Sequence, residues 1–127
     1  MDRFKTFLNQ VHNRLSDVVS ERGEPPWSER LVETGEVMAN LICRGPGDSS
    51  RRHYHLDHDE FWVVMGGELV WHIEGMEPLH AKTSDIVLVP KGKAHHIITV
   101  GNGPSMRLAI VIPDVPHIDV ETGKVWT

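Results

Sequence analysis

The stretch RRHYHLDHDEFWVVMGG, residues 51–67, joins three histidines and three acidic residues directly to a run of large apolar side chains. Alternate side chains on a β-strand share a face, so His53 and His55 point to the same side. The chain then turns, and the next strand can bring Glu60 back towards the two imidazoles. Two neutral imidazole nitrogens and one carboxylate that converge on a point suit a divalent first-row transition metal. The stretch therefore predicts a metal site carried on two strands.

A second motif supplies one more ligand. The hexapeptide PKGKAH, residues 90–95, precedes an apolar run with strand character. Pro90 fixes φ and Gly92 permits a sharp reversal of the chain, so His95 can be aimed inwards at the start of the strand. We expect His95 to join the other three residues.

Short β-rich runs separated by turn residues fill the chain from residue 29 onwards. Gly66-Gly67, between two such runs, predicts a tight hairpin because glycine adopts positive φ at little cost. About eight short strands at this spacing are typical of an all-β sandwich or closed barrel. The runs span residues 30–33, 36–43, 51–55, 60–65, 68–74, 86–89, 95–100 and 106–112.

The N-terminal segment has a helical period instead. Apolar residues recur at intervals of three and four from Phe4 to Val19, with polar residues between them. Gly23 predicts the end of this helix, and Pro25-Pro26 prevents its continuation. We expect an amphipathic helix that packs on the main body as a lid or strut, with partner binding as the alternative. The predicted divisions are a helix in residues 1–23, a barrel in 28–115 and a C-terminal tail in 116–127.

Composition excludes several classes of protein. The 127 residues are enough for one domain, and the net charge of -5 argues against a nucleic-acid partner, which requires a basic surface. Cys43 is the only cysteine, which excludes an intrachain disulfide and a structural thiolate zinc site. No apolar stretch reaches the length of a membrane span and no signal peptide is evident, so we expect a soluble cytoplasmic protein without a membrane partner.

Taken together, the two motifs resemble those of the cupin superfamily. The family's first motif has the form G-x5-H-x-H-x(3,4)-E-x6-G, and its second has the form G-x5-P-x-G-x2-H-x3-N. Ser84 and Thr99 stand where the second motif has its opening glycine and closing asparagine. The resemblance implies an all-β jelly-roll barrel that holds one Fe, Mn, Ni or Zn ion through His53, His55, Glu60 and His95. The matching positions are Gly47, His53, His55, Glu60 and Gly67 in the first motif and Pro90, Gly92 and His95 in the second.

The expected function is that of a metal-dependent enzyme acting on a small molecule. Oxidation by dioxygen is favoured because nothing outside the ligand set resembles a dedicated general base, and isomerase or lyase chemistry follows. The alternative is a non-catalytic binding or sensor protein. Arg51 is a candidate for binding a substrate carboxylate or phosphate, against a merely solvated role. Trp62 and Trp71 are candidates for the substrate-facing wall, against simple core packing.

A homodimer is also expected. Cupins commonly pair, and the apolar strands at 97–100 and 108–112 need cover on both faces, as does an open sheet edge.

Overall fold

The computed structural model describes residues 6–112 and 116–126. Eleven strands and one helix occur in these residues, and the strands form two antiparallel sheets. The strand orders are β1-β2-β9-β4-β7 in one sheet and β11-β10-β3-β8-β5-β6 in the other, which confirms the predicted all-β jelly-roll barrel. The bounds are α1 Leu15–Arg22, β1 Trp27–Glu33, β2 Met38–Arg44, β3 His53–Tyr54, β4 Glu60–Gly66, β5 Glu68–Ile73, β6 Leu79–Lys82, β7 Ile86–Val89, β8 His95–Val100, β9 Ser105–Val111, β10 His117–Asp119 and β11 Val125–Trp126.

The main core lies between the two sheets. Strands alternate between buried and less buried residues, so each sheet turns one face inwards. Trp62 and Val64 of β4 meet Trp71 of β5 and Ile97 of β8 in this core, and all four are almost fully buried. This dense apolar packing fills the space between the two sheets up to the ligand position at His95.

The predicted hairpin at Gly66-Gly67 is wrong. β4 pairs with β7 and β9, whereas β5 pairs with β6 and β8, so the chain crosses from one sheet to the other at this point. Gly67 has φ +73°, and a Cβ there would lie 2.3 Å from the carbonyl oxygen of Pro104. Glycine is therefore required by both the backbone conformation and the close approach of another strand.

The N-terminal helix is shorter than predicted. It covers Leu15–Arg22 and ends at Gly23 as expected, but residues 6–14 are not helical, and Phe4 lies outside the described residues. Asn9 adopts φ 55°, and its side-chain amide exchanges two hydrogen bonds with the backbone of Glu33 on β1. This pairing holds the segment against a strand edge, which a continuous helix could not do.

The N-terminal segment nevertheless covers the outer face of the five-stranded sheet. Phe7 and Val18 are buried against Leu31 and Leu41, as the strut interpretation requires, while Leu8 and Val11 of the same apolar period are exposed. None of the described helices is long and apolar enough to cross a membrane.

The predicted C-terminal tail belongs to the barrel. β10 pairs with β3 and with β11, so the described residues 116–126 extend the six-stranded sheet beyond His53. Residues 113–115, which connect this part to β9, lie outside the described residues. β10 and β11 are only three and two residues long, too short to produce a recognisable strand pattern in the sequence.

Candidate metal centre

Four predicted ligands come together at one point of the barrel. One nitrogen or oxygen atom from each of His53, His55, Glu60 and His95 lies within 4.8 Å of the other three. Glu60 begins β4 in one sheet, whereas the histidines belong to the opposite sheet or follow it directly. His53 and His95 are directly paired across β3 and β8, so their rings stand side by side with centroids 4.4 Å apart. The group thus bridges the two sheets.

Backbone carbonyl groups orient all three imidazole rings. The Nδ1–H of His53 donates to the carbonyl of Arg51 at 2.9 Å, and that of His55 to Pro116 at 2.9 Å. The Nδ1–H of His95 donates to Lys93 at 3.1 Å. Because a carbonyl only accepts, each ring carries its proton on Nδ1 and turns Nε2 towards the centre. This is the tautomer that a metal-binding histidine requires.

The charge states also favour metal binding. Burial, followed by the proximity of His95, lowers the pKa of His53 to about 4, and burial lowers the pKa of His95. Burial alone would lower the pKa of His55 too, but the hydrogen bond and negative charge of Glu60 outweigh it and raise that pKa. Two of the three imidazoles are therefore neutral at pH 7, and a neutral imidazole is the form that binds metals.

A metal ion fits the donor set. The Nε2 of His95 is buried and has no hydrogen-bond partner among the described residues, although the carboxylate of Glu60 lies 4.0 Å away. The Nε2 of His55 lies 2.8 Å from the same carboxylate, so one divalent ion could stand between these two atoms in place of a shared proton. An unsatisfied buried nitrogen beside a buried carboxylate is costly in the absence of a ligand and is explained by a cation at this point.

The two sequence motifs are joined by their turns. Gly92, at φ +81°, donates its N–H to the carbonyl of His55 at 2.6 Å. Lys91 donates its N–H to the carboxylate of Asp59 at 2.9 Å. The loop that delivers His95 is therefore held directly against the turn between His55 and Glu60, which keeps both halves of the ligand set in register.

A cavity of about 470 Å³ opens beside His53, one of the four candidate ligands. Its wall includes His53 and three arginines, Arg44, Arg51 and Arg107. Arg51 lies at the rim of the cavity, where it is largely exposed and forms an ion pair with Asp119. Its guanidinium carbon lies 5.1 Å from the centroid of the Trp126 ring. This volume suits a small ligand.

The two tryptophans predicted for the substrate wall lie elsewhere. Trp62 and Trp71 are 2% and 0% exposed and belong to the main core, with ring centroids 5.6 Å apart. Trp62 also packs edge-on against His95 at 5.4 Å. Both positions match the packing alternative of the sequence analysis, and contact of either residue with a substrate stays a prediction.

Two further residues lie at this site, His117 and Arg107, and neither belongs to the two sequence motifs. The register between β10 and β3 places His117 beside the ligands, with its ring centroid 4.5 Å from that of His55 and 5.1 Å from that of His53. Arg107 points inwards from β9 into the same cavity. The alternation of His117 with Asp119 was the only available signal for the first, and an arginine at an inward position of an apolar strand was the signal for the second.

Comparison with known proteins agrees with this architecture. The family model described as "Cupin domain" matches residues 40–112, more than half of the chain. The chain is 30% identical over 81 residues to the tetracenomycin polyketide synthase protein TcmJ of Streptomyces glaucescens, which covers 60% of this chain and 54% of TcmJ. It therefore spans only about half the length of that relative. It is 29% identical over 103 residues to an oxalate-binding protein of Thermotoga maritima, with 78% of this chain and 84% of the relative covered.

Among solved structures, an uncharacterised conserved protein of Klebsiella pneumoniae with a double-stranded β-helix domain superposes with a TM-score of 0.75. The superposition covers 90% of this chain and 94% of that protein at 21% sequence identity. At this level of identity the likeness concerns the fold alone.

Proposed function

Because the chain belongs to the cupin family, we propose that it is a metal-dependent enzyme that acts on a small molecule in the cavity beside His53. The ion is one divalent first-row metal, with Fe, Mn, Ni and Zn as candidates, and His53, His55, Glu60 and His95 are its ligands. The observation that carries the proposal is the convergence of three oriented Nε2 atoms on a buried carboxylate, with the Nε2 of His95 otherwise unsatisfied.

The protein's part in the reaction is to hold the ion and admit a small molecule next to it. Such an ion polarises a bound oxygen atom as a Lewis acid and, where it is redox-active, supports chemistry with dioxygen. Bound by these four protein ligands, such an ion would be able to exchange further ligands, which distinguishes a catalytic from a closed structural site. The cavity beside His53 provides the access that this exchange needs.

Two reaction classes follow from the residues around the cavity. Oxidation by dioxygen remains the first, because it requires little from the protein beyond the ligand set. Isomerase or lyase chemistry gains support from His117, which lies on the cavity wall and can accept or donate a proton. The non-catalytic binding or sensor protein stays the alternative, and it differs in that no small molecule is turned over.

Metal analysis of the untagged protein tests the first step. We expect close to one first-row metal per chain, and we expect the double variant His53→Ala/His95→Ala to lose it. His80→Ala is the matched control, because His80 is an exposed histidine on β6 and belongs to neither the ligand group nor the cavity. Full metal retention in the double variant would refute the proposed ligand set.

Access to the ion is tested by probes from outside. After anaerobic loading with Fe(II), nitric oxide should produce a new iron–nitrosyl signal; after loading with Co(II), small acids should perturb the visible spectrum. If neither probe reaches the metal, the site is closed and the enzyme proposal fails.

The reaction class is tested by screening small acids and phenolic compounds for oxygen uptake and, in D2O, for exchange of carbon-bound hydrogen. His117→Gln should lower the rate of hydrogen exchange without lowering metal content if proton transfer is the chemistry. If oxygen uptake is observed and His117→Gln leaves its rate unchanged, oxidation is the better assignment. An accessible metal with no turnover of any compound favours the sensor alternative.

We also propose that the chain forms a homodimer. Phe61, Ile86 and Leu88 expose 38%, 69% and 57% of their surface on the outer face of β4 and the edge strand β7. Edge strands with apolar outer faces are commonly covered by a partner. This location differs from the strands considered in the sequence analysis, since Leu108 is already packed against the N-terminal segment. A cytoplasmic location and the absence of a nucleic-acid partner stay predictions.

A further inference from the structure

Arg107 is a buried cation in an otherwise apolar strand. It lies on the inner face of β9, directly between Ile42 of β2 and Val64 of β4, and only 5% of it is exposed. Its Nε has no hydrogen-bond partner among the described residues, and no described carboxylate forms an ion pair with it. A buried charge without a counter-ion destabilises the fold, so its presence calls for a ligand that supplies the missing charge.

The guanidinium stays charged despite its burial. Burial, followed by the positive charge of Arg44, lowers the pKa of Arg107 to about 10, which is still well above neutral pH. The charge of Glu60 acts in the opposite direction, but that carboxylate belongs to the metal ligands. Arg107 therefore carries a full positive charge that no described acidic group is free to neutralise.

The cavity that Arg107 lines contains a second arginine without a carboxylate partner. Arg44 donates to the backbone carbonyls of Trp27 and Cys43 at 3.2 and 3.1 Å, and no described acid forms an ion pair with it. Arg51, at the rim of the same cavity, differs because Asp119 neutralises it. The cavity thus has an inner part with an excess of positive charge, next to His53.

We propose that Arg107, assisted by Arg44, binds the carboxylate of a small acidic substrate whose remaining oxygen atoms face the metal ligands. This inference rests on the proposed function and specifies its substrate class. A carboxylate fits because it supplies the counter-charge that Arg107 lacks, and its two oxygens match the two parallel N–H groups of that side chain. The volume of about 470 Å³ is enough for a small acid next to His53.

Glycolate and its neutral analogue glycolamide are the probes, with inorganic phosphate as a third. Isothermal titration calorimetry is carried out on the metal-free and on the Zn-loaded protein, and metal content is measured for every variant. We expect glycolate to bind better than glycolamide in both forms. Arg107→Met should weaken glycolate binding by about 10- to 100-fold, since a charge-assisted hydrogen-bonded pair is lost, and should leave glycolamide binding unchanged.

Two further variants separate binding from folding. Arg52→Met is the matched control, because Arg52 is an exposed neighbour of the site that lines a different cavity, and it should bind glycolate like the wild type. Arg107→Lys keeps the charge but not the paired N–H groups, so an intermediate affinity is expected. Arg107→Met should also raise the melting temperature of the Zn-loaded protein, in which the metal engages Glu60, whereas a purely structural arginine would lower it on removal.

The outcomes distinguish this inference from the proposed function. If Arg107→Met binds glycolate as tightly as the wild type does, the inference is overturned. The metal proposal stays intact in that case, provided that the protein holds its metal and small acids perturb the spectrum of the Co(II)-loaded form. Glycolate binding that depends on Arg107 in protein that never takes up a metal supports the subsite and refutes the metal proposal. Phosphate binding that depends on Arg107 and exceeds that of glycolate overturns the carboxylate assignment.

Discussion

Replacing Gly67 with alanine tests the crossing between the two sheets. The added Cβ would lie 2.3 Å from the carbonyl oxygen of Pro104 and 2.9 Å from the Cα of Ser105. Both are backbone atoms, so β9 or the crossing itself has to move. In addition, alanine must adopt the φ of +73° that the crossing requires.

The two effects can be added. The left-handed conformation costs about 1–2 kcal/mol for a residue with a Cβ. Forcing atoms into a packed interior costs a further ~1–3 kcal/mol. Alanine recovers roughly 0.5–1 kcal/mol because it loses less conformational entropy on folding than glycine. We therefore expect Gly67→Ala to lower the free energy of unfolding by about 1–4.5 kcal/mol, which lowers the melting temperature by roughly 4–16 °C in a domain of this size.

Gly123 provides the control. Its φ of +72° is nearly the same, but a Cβ there would have no atom within 4 Å. Gly123→Ala should therefore cost only the backbone term, roughly 1 kcal/mol after the entropy gain. The stability of both variants is measured by thermal and by urea unfolding. The protein is metal-free and a chelator is present, so that metal binding does not add to the measured stability. Equal destabilisation by the two substitutions would show that the approach of Pro104 to Gly67 carries no energetic cost.

Three further predictions concern single contacts. Ser84 has φ +80° at a position where the cupin motif has glycine. Ser84→Gly should therefore relieve backbone strain and raise the free energy of unfolding by about 0.5–1 kcal/mol. A lower melting temperature of this variant would contradict the assignment of strain to Ser84. Thr99 and Ser105 share a buried hydrogen bond of 2.7 Å. Thr99→Val should therefore lower the free energy of unfolding by about 1–3 kcal/mol, and adding Ser105→Ala should restore part of that loss. If the effects of the two substitutions on the free energy of unfolding simply add, the bond is not a stabilising contact. Leu88→Lys places a charge on the exposed face of β7 and should convert a dimer to a monomer in light scattering at micromolar concentration, whereas a wild-type protein that is already monomeric excludes the homodimer.

The sequence alone determined the features that depend on local patterning. Alternation along single strands placed His53, His55 and Glu60 on inward faces, and a proline–glycine turn placed His95 at the start of β8. These rules act over two to six residues, which is why the structure brings together the same four side chains that the spacing had singled out. The end of the helix at Gly23 is of the same kind, since it depends on one residue and its neighbours.

Pairing between distant segments was decided only by the tertiary structure. The hairpin prediction at Gly67 failed because a glycine with positive φ is needed equally for a tight turn and for a crossing between sheets, and only the strand partners distinguish them. The helix prediction failed between residues 6 and 14 because Asn9 gains two hydrogen bonds from β1, far away in sequence. The register of β10 on β3 places His117 beside the four candidate ligands. The register of β9 between β2 and β4 places Arg107 at the cavity. Register is set by the summed packing of whole sheets, so the residue types at these two positions contain too little information to specify it.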